Sequence, residues 1–557
     1  MTCSPRLTPA LTAALVALVA LTLAGCAATG SGPTAMSGPG PTAQASSEAT
    51  EPALVDVAGG RLLGYTDRGV HTFRGIRYAQ AERFRPAERV PEWDGVRPAL
   101  VYGPTCPAGA NDSVSLTEFV NFSGGNLPQN EDCLYANVWT PSLDPEAAKP
   151  VIVWVHGGAY STGASNELEF YDGRNLAATG EAVFVSVNHR LNVLGYTDLS
   201  AYGEEYAGSG NLGQLDLVAA LRWVEANIEQ FGGDPQSVTV VGQSGGGGKV
   251  LTLLGMPAAE GLIDRAVVMS AVTMWRSQAD AQAQTASLLD EAGVASPAGL
   301  VELSYLELLA AAERAGLDAA PVVDGDTFPE ESFDADGAFT DLAEDVPLIV
   351  TTVLGEFASN LGAMSYVIQD PQDPLAAAYL PGLDEDRVDE MIAQRFGDHA
   401  EAITDAFATA YPGHPVADVL WMEDGRFFGS TRVAVAAAKA AQGGAPVYGA
   451  VFAQDLPVFG GVTPPHTGGD IPFLFRNHAL MGHIVAGQEA EFAAMSQAAS
   501  DALLAFAATG DPGAAALPWP AYTAERATMM VFDTESQARE QHEVELYRLF
   551  AEARGGR

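Results

Sequence analysis

Positive charge is scarce in this chain. Lysine occurs only at Lys149, Lys249 and Lys439, and 28 basic residues face 70 acidic ones, a formal net charge of −42 over 557 residues. The resulting negative potential repels phosphate backbones and anionic bilayers, which argues against nucleic acid as a partner and against electrostatic attachment to a membrane. A membrane-spanning anchor is the less favoured reading of the start, because the apolar run Leu11 to Ala24 falls short of the ~20 residues that cross a bilayer. Cysteine is rare, at four residues. No internal repeat is evident, and the G-x-G-x-x-G pattern of a dinucleotide loop is missing from the glycine-rich turn at Gly157.

What stands at the N-terminus is an export signal. Arg6 supplies a positive end, Leu11 to Ala24 the apolar stretch, and Leu23-Ala24-Gly25-Cys26 resembles a lipobox, so that residues 1–26 read as a lipoprotein signal peptide and Cys26 as the lipidated residue. Gly, Ser, Thr, Pro and Ala dominate residues 27–52, the composition of a flexible tether, which leaves 53–557 as the folded domain. The expectation is a cell-surface lipoprotein held only by its lipid, or a secreted protein. With Cys26 acylated, Cys106 and Cys133 remain as an even pair in an oxidising setting and predict a disulfide. In the chain-entropy model that bridge is worth about 3 kcal/mol.

Hydrophobic residues make up 47% of the chain, enough for a large core. Short apolar runs recur at Val151–Val155, Ala182–Val187, Val238–Val241, Ala266–Met269, Pro347–Val350 and Val447–Val451. Runs apolar on both faces belong to a parallel sheet covered on both sides. Between them, Leu212 to Phe231 has helical spacing and stops before Gly232-Gly233-Asp234-Pro235. This is β-α-β architecture, predicting an α/β fold with a large, mostly parallel sheet. Two alanine-rich regions, about 278–318 and 372–442, break the rhythm and read as helical insertions over the sheet, with ordinary packing helices as the plainer alternative.

At Val238-Thr-Val-Val-Gly-Gln-Ser-Gly-Gly-Gly247 a strand enters G-x-S-x-G and then a helix, the context of a nucleophile elbow. Gly242 and Gly246 leave room for a sharp turn presenting Ser244, and the Gly245 N–H faces the position of a nascent oxyanion. After another apolar strand, Trp154-Val-His-Gly-Gly-Ala-Tyr160 offers successive backbone N–H groups suited to the same charge. His156 within it reads as structural.

These motifs, with Phe73-Arg-Gly-Ile-Arg-Tyr-Ala79, Gly103-Pro-Thr-Cys106, Glu131-Asp-Cys-Leu-Tyr135, Asn188-His-Arg-Leu191 and Asn227 to Pro235, resemble the type-B carboxylesterase family from about Asp56 to the C-terminus. The resemblance implies an α/β-hydrolase with a gorge-like site, hydrolysis of a small carboxylic ester through an acyl-enzyme, no metal or cofactor, and oxyanion donors at Gly158, Ala159 and Gly245. Many relatives carry glutamate before and alanine after the nucleophile, where this chain has Gln243 and Gly245. The missing negative charge favours a neutral ester over a cationic one.

Nine histidines compete for the role of base. Chain order in α/β-hydrolases is Ser, acid, His, so the base follows the strand at Val447. His466, in Thr463-Pro-Pro-His-Thr-Gly-Gly-Asp470, resembles the family's histidine loop, although the spacing to Asp470 is one residue longer; His478 is the alternative. The acid falls within Val346 to Asn360. Taking Gly355 as the motif's glycine puts the amide Asn360 at the acid position, whereas Thr351 in the glycine's place puts Glu356 there. Glu356 leaves a carboxylate at a strand end and is preferred, with Asp470 as rival. Two other functions compete: a binding module that keeps the fold without the triad, and a hydrolase specialised for polyesters, toxins or drug-like esters.

Overall fold

Parallel strands buried on both faces dictate the centre of the molecule. The structure, a computed structural model, describes residues 51–108, 127–333, 337–356, 385–456, 467–482, 485 and 487–555. One 13-stranded sheet runs through them: β1 (Glu51–Val57), β2 (Gly60–Asp67), β3 (Val70–Arg77), β4 (Val96–Pro98), β5 (Tyr135–Thr140), β6 (Lys149–Val155), β7 (Val183–Val187), β8 (Gly233–Gln243), β9 (Arg265–Met269), β10 (Leu348–Val353), β11 (Val447–Phe452), β12 (Met529–Phe532) and β13 (Gln537–Arg539). Their spatial order is β1-β2-β3-β5-β7-β6-β8-β9-β10-β11-β12-β13, with β4 beside β2. From β7 to β12 every neighbouring pair is parallel. All six apolar runs of the sequence lie in that parallel block.

Each of these strands feeds both faces. Along β6, Val151, Val153 and Val155 enter one hydrophobic cluster with Val183 and Val185, while Ile152 and Trp154 enter the opposite one with Phe184 and Met269. The antiparallel edge escaped the apolar-run reading because β1 alternates buried and exposed positions, with Ala53 and Val55 inward and Leu54 out. β1 already begins at Glu51, inside the stretch read as tether.

Helices cover the sheet: α1 (Leu212–Asn227), α2 (Gly245–Leu254), α3 (Gln278–Ala292), α4 (Pro297–Glu302), α5 (Tyr305–Ala315), α6 (Glu385–Phe396), α7 (Ala400–Ala410), α8 (Asp418–Asp424), α9 (Arg426–Gln442), α10 (Glu489–Thr509) and α11 (Val544–Ala553). After α1, one further turn of 3₁₀ helix ends at Gly232 with φ of +70°, where a Cβ would stand 2.6 Å from the Ser142 carbonyl oxygen, so glycine is required. The expected turn then shrinks to this residue, and β8 starts at once. A reciprocal Ser304–Glu307 capping box opens α5 and Gly316 closes it.

The first helical region, α3 to α5, builds a small core of its own with Phe84, Val193 and Leu194. In the second, α6 to α8 pack with α11 around Ile403, Phe407, Trp421 and Phe550. Its last helix behaves differently. Val435 and Ala436 of α9 join the main core with Val350 and Val447, so α9 is the crossover covering β10 and β11, and the insertion reading does not extend to it. Residues 372–384 of that region lie outside the described residues. The disulfide between Cys106 and Cys133 is present, with Cα atoms 4.9 Å apart and both residues buried.

Candidate active site

Carboxyl ends of neighbouring parallel strands are where side chains of an open α/β sheet converge. Ser244 follows β8 there, with φ of +57° and ψ of −122°, a conformation that non-glycine residues avoid and that marks stored strain. Its N–H donates to the Met269 carbonyl (2.8 Å), and its own carbonyl accepts from the Gly248 and Val272 N–H groups (3.1 Å each). The tightness demands its glycines, since a Cβ at Gly242 would lie 2.3 Å from the Gly246 carbonyl oxygen and one at Gly246 2.2 Å from that of Val155. Ser244 is partly exposed amid buried neighbours, as an attacking hydroxyl must be.

The loop after β6 packs directly on this turn. Gly158 has φ of +82° and Ala159 φ of +51°, and the space of a Cβ on Gly245 is filled by the Ala159 backbone, its oxygen at 2.1 Å and its Cα at 2.3 Å. Among the described residues, the N–H groups of Gly158, Ala159 and Gly245 have no protein acceptor. Below them, His156 stacks on His189 at 4.8 Å, both buried and both held neutral by burial, and the wholly buried Lys249 ammonium donates to the His156 carbonyl at 3.2 Å. His156 therefore supports the loop from beneath. The Asn188-His-Arg-Leu segment is likewise structural, the Arg190 guanidinium gripping the buried Asp216 carboxylate at 2.6 and 2.8 Å.

Glu356 lies just past β10 and is buried. Its Oε1 accepts from Ser270 Oγ (2.7 Å) and from the Val353 N–H (3.1 Å), while Oε2 is buried with no partner among the described residues. Burial, with the nearby Asp470 carboxyl adding to it, pushes the Glu356 carboxyl up to about 8, against the lowering effects of Ser270, the Val353 N–H and the Thr467 hydroxyl. Asp470 is buried as well and raised to about 7 by desolvation, and among the described residues neither of its carboxylate oxygens meets a side-chain donor.

His466 lies outside the described residues, as do Cys26 and Asn360. The chain resumes at Thr467, whose N–H donates to the Glu356 carbonyl oxygen (3.1 Å) and whose Oγ1 accepts from Gln243 Nε2 (2.8 Å). Three segments far apart in sequence are thus joined: the elbow through Gln243, the end of β10 through Glu356, and the chain one residue past His466. The alternative base His478 sits half-buried in a 3₁₀ turn, where burial and then the Arg476 charge lower its pKa.

Ser270 and the Gln243–Thr467 tie were not singled out from the sequence. Ser270 directly follows β9, whose apolar run was recognised, and its place at a parallel-strand carboxyl end was the available signal.

A strained serine between a parallel strand and a helix, beneath a donor-rich glycine loop, defines an α/β-hydrolase. The carboxylesterase family model matches residues 51–549. The chain is 32% identical to the para-nitrobenzyl esterase of Bacillus subtilis, over 86% of this chain and 94% of that protein. Among solved structures, it resembles an esterase from anaerobic Clostridium hathewayi that can hydrolyse aliphatic aromatic polyesters, with a TM-score of 0.81 and 37% identity over 91% of this chain and 100% of the other. The Geobacillus stearothermophilus carboxylesterase EST55 gives a TM-score of 0.69 and 33% identity over 89% and 99%. The chain belongs to the carboxylesterase family and is a carboxylic ester hydrolase.

Proposed function

We propose that the protein is an exported esterase in which Ser244 attacks the ester carbonyl, His466 takes and returns the proton, and Glu356 orients His466 and stabilises its imidazolium. The oxyanion is assigned to the N–H groups of Gly158, Ala159 and Gly245. The observation that carries this reading is Glu356 itself, buried at the end of β10, with no hydrogen-bond partner for its Oε2 among the described residues and with its carbonyl accepting from Thr467, the neighbour of His466. A carboxylate without a donor is costly in a buried site, and an imidazole N–H opposite Oε2 would satisfy it.

Chemistry then follows from geometry. Proton transfer from the Ser244 hydroxyl to a neutral His466 generates the nucleophile as the C–O bond forms. The tetrahedral oxyanion collapses when the imidazolium protonates the leaving alcohol, and water repeats the sequence on the acyl-enzyme. Residues 1–26 are assigned to a lipoprotein signal, 27–52 to a tether and Cys26 to the lipid anchor. Gln243 in place of a glutamate favours neutral esters. The likeness to the polyester-hydrolysing esterase favours aliphatic aromatic polyesters as a second substrate reading.

The direct test is Ser244→Ala in the soluble part, residues 27–557, assayed with p-nitrophenyl acetate and a polyester film. We expect turnover to fall by about 10⁴-fold or more with an unchanged Tm, and organophosphate labelling to vanish. Near-normal turnover would remove Ser244 from the mechanism.

A further inference from the structure

Away from the serine, the carboxyl ends of two adjacent parallel strands meet the second helical region. His414 stands in the loop before α8, Asp418 is the first residue of α8, Asp455 lies three residues past β11, and Asp533 directly follows β12. His414 Nε2 is 2.9 Å from Asp533 Oδ2, a hydrogen bond that fixes the proton of a neutral ring on Nε2 and turns the Nδ1 lone pair the other way. Nδ1 faces Asp455 Oδ1 at 3.4 Å and Asp418 Oδ2 at 3.8 Å, and the three ligand atoms lie within 4.8 Å of one another.

None of these three inward atoms has a hydrogen-bond partner among the described residues. Asp418 is 1% exposed and the His414 side chain 7%, so both are desolvated groups aimed into one small space. Lone pairs from two carboxylates and an imidazole converging without a donor repel one another unless a cation stands between them. The competing arrangement is an imidazolium, which the surrounding carboxylates would favour by raising His414 to about 11. It answers the geometry poorly. Asp418 Oδ2 is too far from Nδ1 for a hydrogen bond, and three carboxylates surround a single imidazolium, with the Arg539 charge lowering Asp533.

We propose that His414, Asp418 and Asp455 form a binding site for one divalent transition cation of the zinc class, with Asp533 orienting the imidazole and water completing the coordination. Ligand atoms about 2.1 Å from zinc are about 3.4 Å apart at the tetrahedral angle. The Nδ1–Asp455 separation matches this, and the Nδ1–Asp418 separation needs only a small closure. One nitrogen and two carboxylate oxygens suit zinc better than calcium, which prefers six or more oxygens. A carboxylate accepting from the remote ring nitrogen is the usual outer support of a metal-bound histidine. Asp455, 24% exposed, leaves a path from solvent. The ester chemistry assigned to Ser244 needs no metal; the cation would instead clamp α8 to the ends of β11 and β12.

The test uses the full chain, stripped with chelator and dialysed against zinc, manganese or calcium chloride, with bound metal read by mass spectrometry and stability by thermal melting. We expect one zinc per chain, retained in preference to calcium, and a Tm rise of about 2–3 °C at a hundredfold excess over Kd. Asp455→Asn and His414→Gln should each weaken binding at least tenfold, and Asp533→Asn should weaken it about tenfold with stoichiometry kept. If His414→Gln does not fold, the partly exposed Asp455→Asn decides. Absence of saturable zinc binding in the unaltered chain, undiminished binding in folded Asp455→Asn, or a preference for calcium would overturn the proposal.

Discussion

Thr467 donates its backbone N–H to the carbonyl oxygen of Glu356 at 3.1 Å, fastening the chain one residue past His466 to the residue bearing a buried, half-satisfied carboxylate. The same Glu356 side chain is gripped on Oε1 by Ser270 and the Val353 N–H, so its rotamer is fixed and only Oε2 remains to act. Glu356→Gln keeps the shape and removes the charge that would stabilise an imidazolium. We expect kcat to fall about 10³- to 10⁴-fold with Tm unchanged or higher. Asp470→Asn should keep most of the activity. If that change silences the enzyme while Glu356→Gln is nearly unaltered, the acid has been misassigned.

Asp470 should nevertheless be felt in pH dependence. Both its carboxyl, at about 7, and that of Glu356, at about 8, titrate above their ordinary range because burial penalises the ions. The sign is that of a raised acid: the stability of the neutral form is present at low pH and is lost as pH rises from about 4 through the folded values. Asp470→Asn removes its share of that loss, so the gain in Tm should be larger at pH 8 than at pH 5. It also removes a negative charge that raises Glu356, and the acid limb of kcat/KM should move to lower pH by a few tenths of a unit. An equal Tm change at both pH values, or an acid limb shifted upward, would contradict this account.

The assignment of Cys26 to a lipid anchor makes a cellular prediction. Cys26→Ala blocks acylation and should move the protein from the membrane to the soluble fraction without altering turnover per molecule, because residue 26 precedes the sheet that starts at Glu51. Fractionation followed by esterase assay reads both. Unchanged membrane association would point to another mode of attachment.

Legibility in the sequence followed how local each constraint is. The elbow and the glycine loop could be read because steric closeness writes glycine at fixed positions: a Cβ at Gly242 or Gly246 would stand 2.3 or 2.2 Å from a backbone carbonyl oxygen. The parallel strands could be read because burial on both faces makes them continuously apolar. The antiparallel β1 could not be read in that way, since its one-sided burial leaves an alternating pattern. Choosing Glu356 over Asn360 turned on where β10 ends, a register that no neighbouring residue dictates, and its partners come from elsewhere in the chain, Ser270 from the end of β9 and Thr467 from the loop before residue 471. The cluster of His414, Asp418, Asp455 and Asp533 was invisible for the same reason, being assembled by topology from positions 414 to 533.

Gly245 offers the sharpest test of the oxyanion loop. Many relatives carry alanine after the nucleophile, yet here the site of that methyl is already filled by the backbone of Ala159, with its oxygen at 2.1 Å and its Cα at 2.3 Å. Backbone at such distances cannot yield by a rotamer change, so Gly245→Ala must displace the loop from Gly158 to Tyr160, whose carbonyl is itself held by the Asn192 N–H at 2.8 Å. Misplacing two of the three proposed donors weakens oxyanion stabilisation, and losing one such donor elsewhere costs about 10²- to 10³-fold in kcat. We expect kcat to drop at least tenfold with KM changed much less, and a stability loss of about 1–3 kcal/mol from overpacking. Steady-state kinetics with p-nitrophenyl acetate and a thermal melt measure both. Wild-type kcat in a folded Gly245→Ala protein would show that the loop adopts a second position in which Gly158 and Ala159 still point at the oxyanion, or that those N–H groups are not its donors.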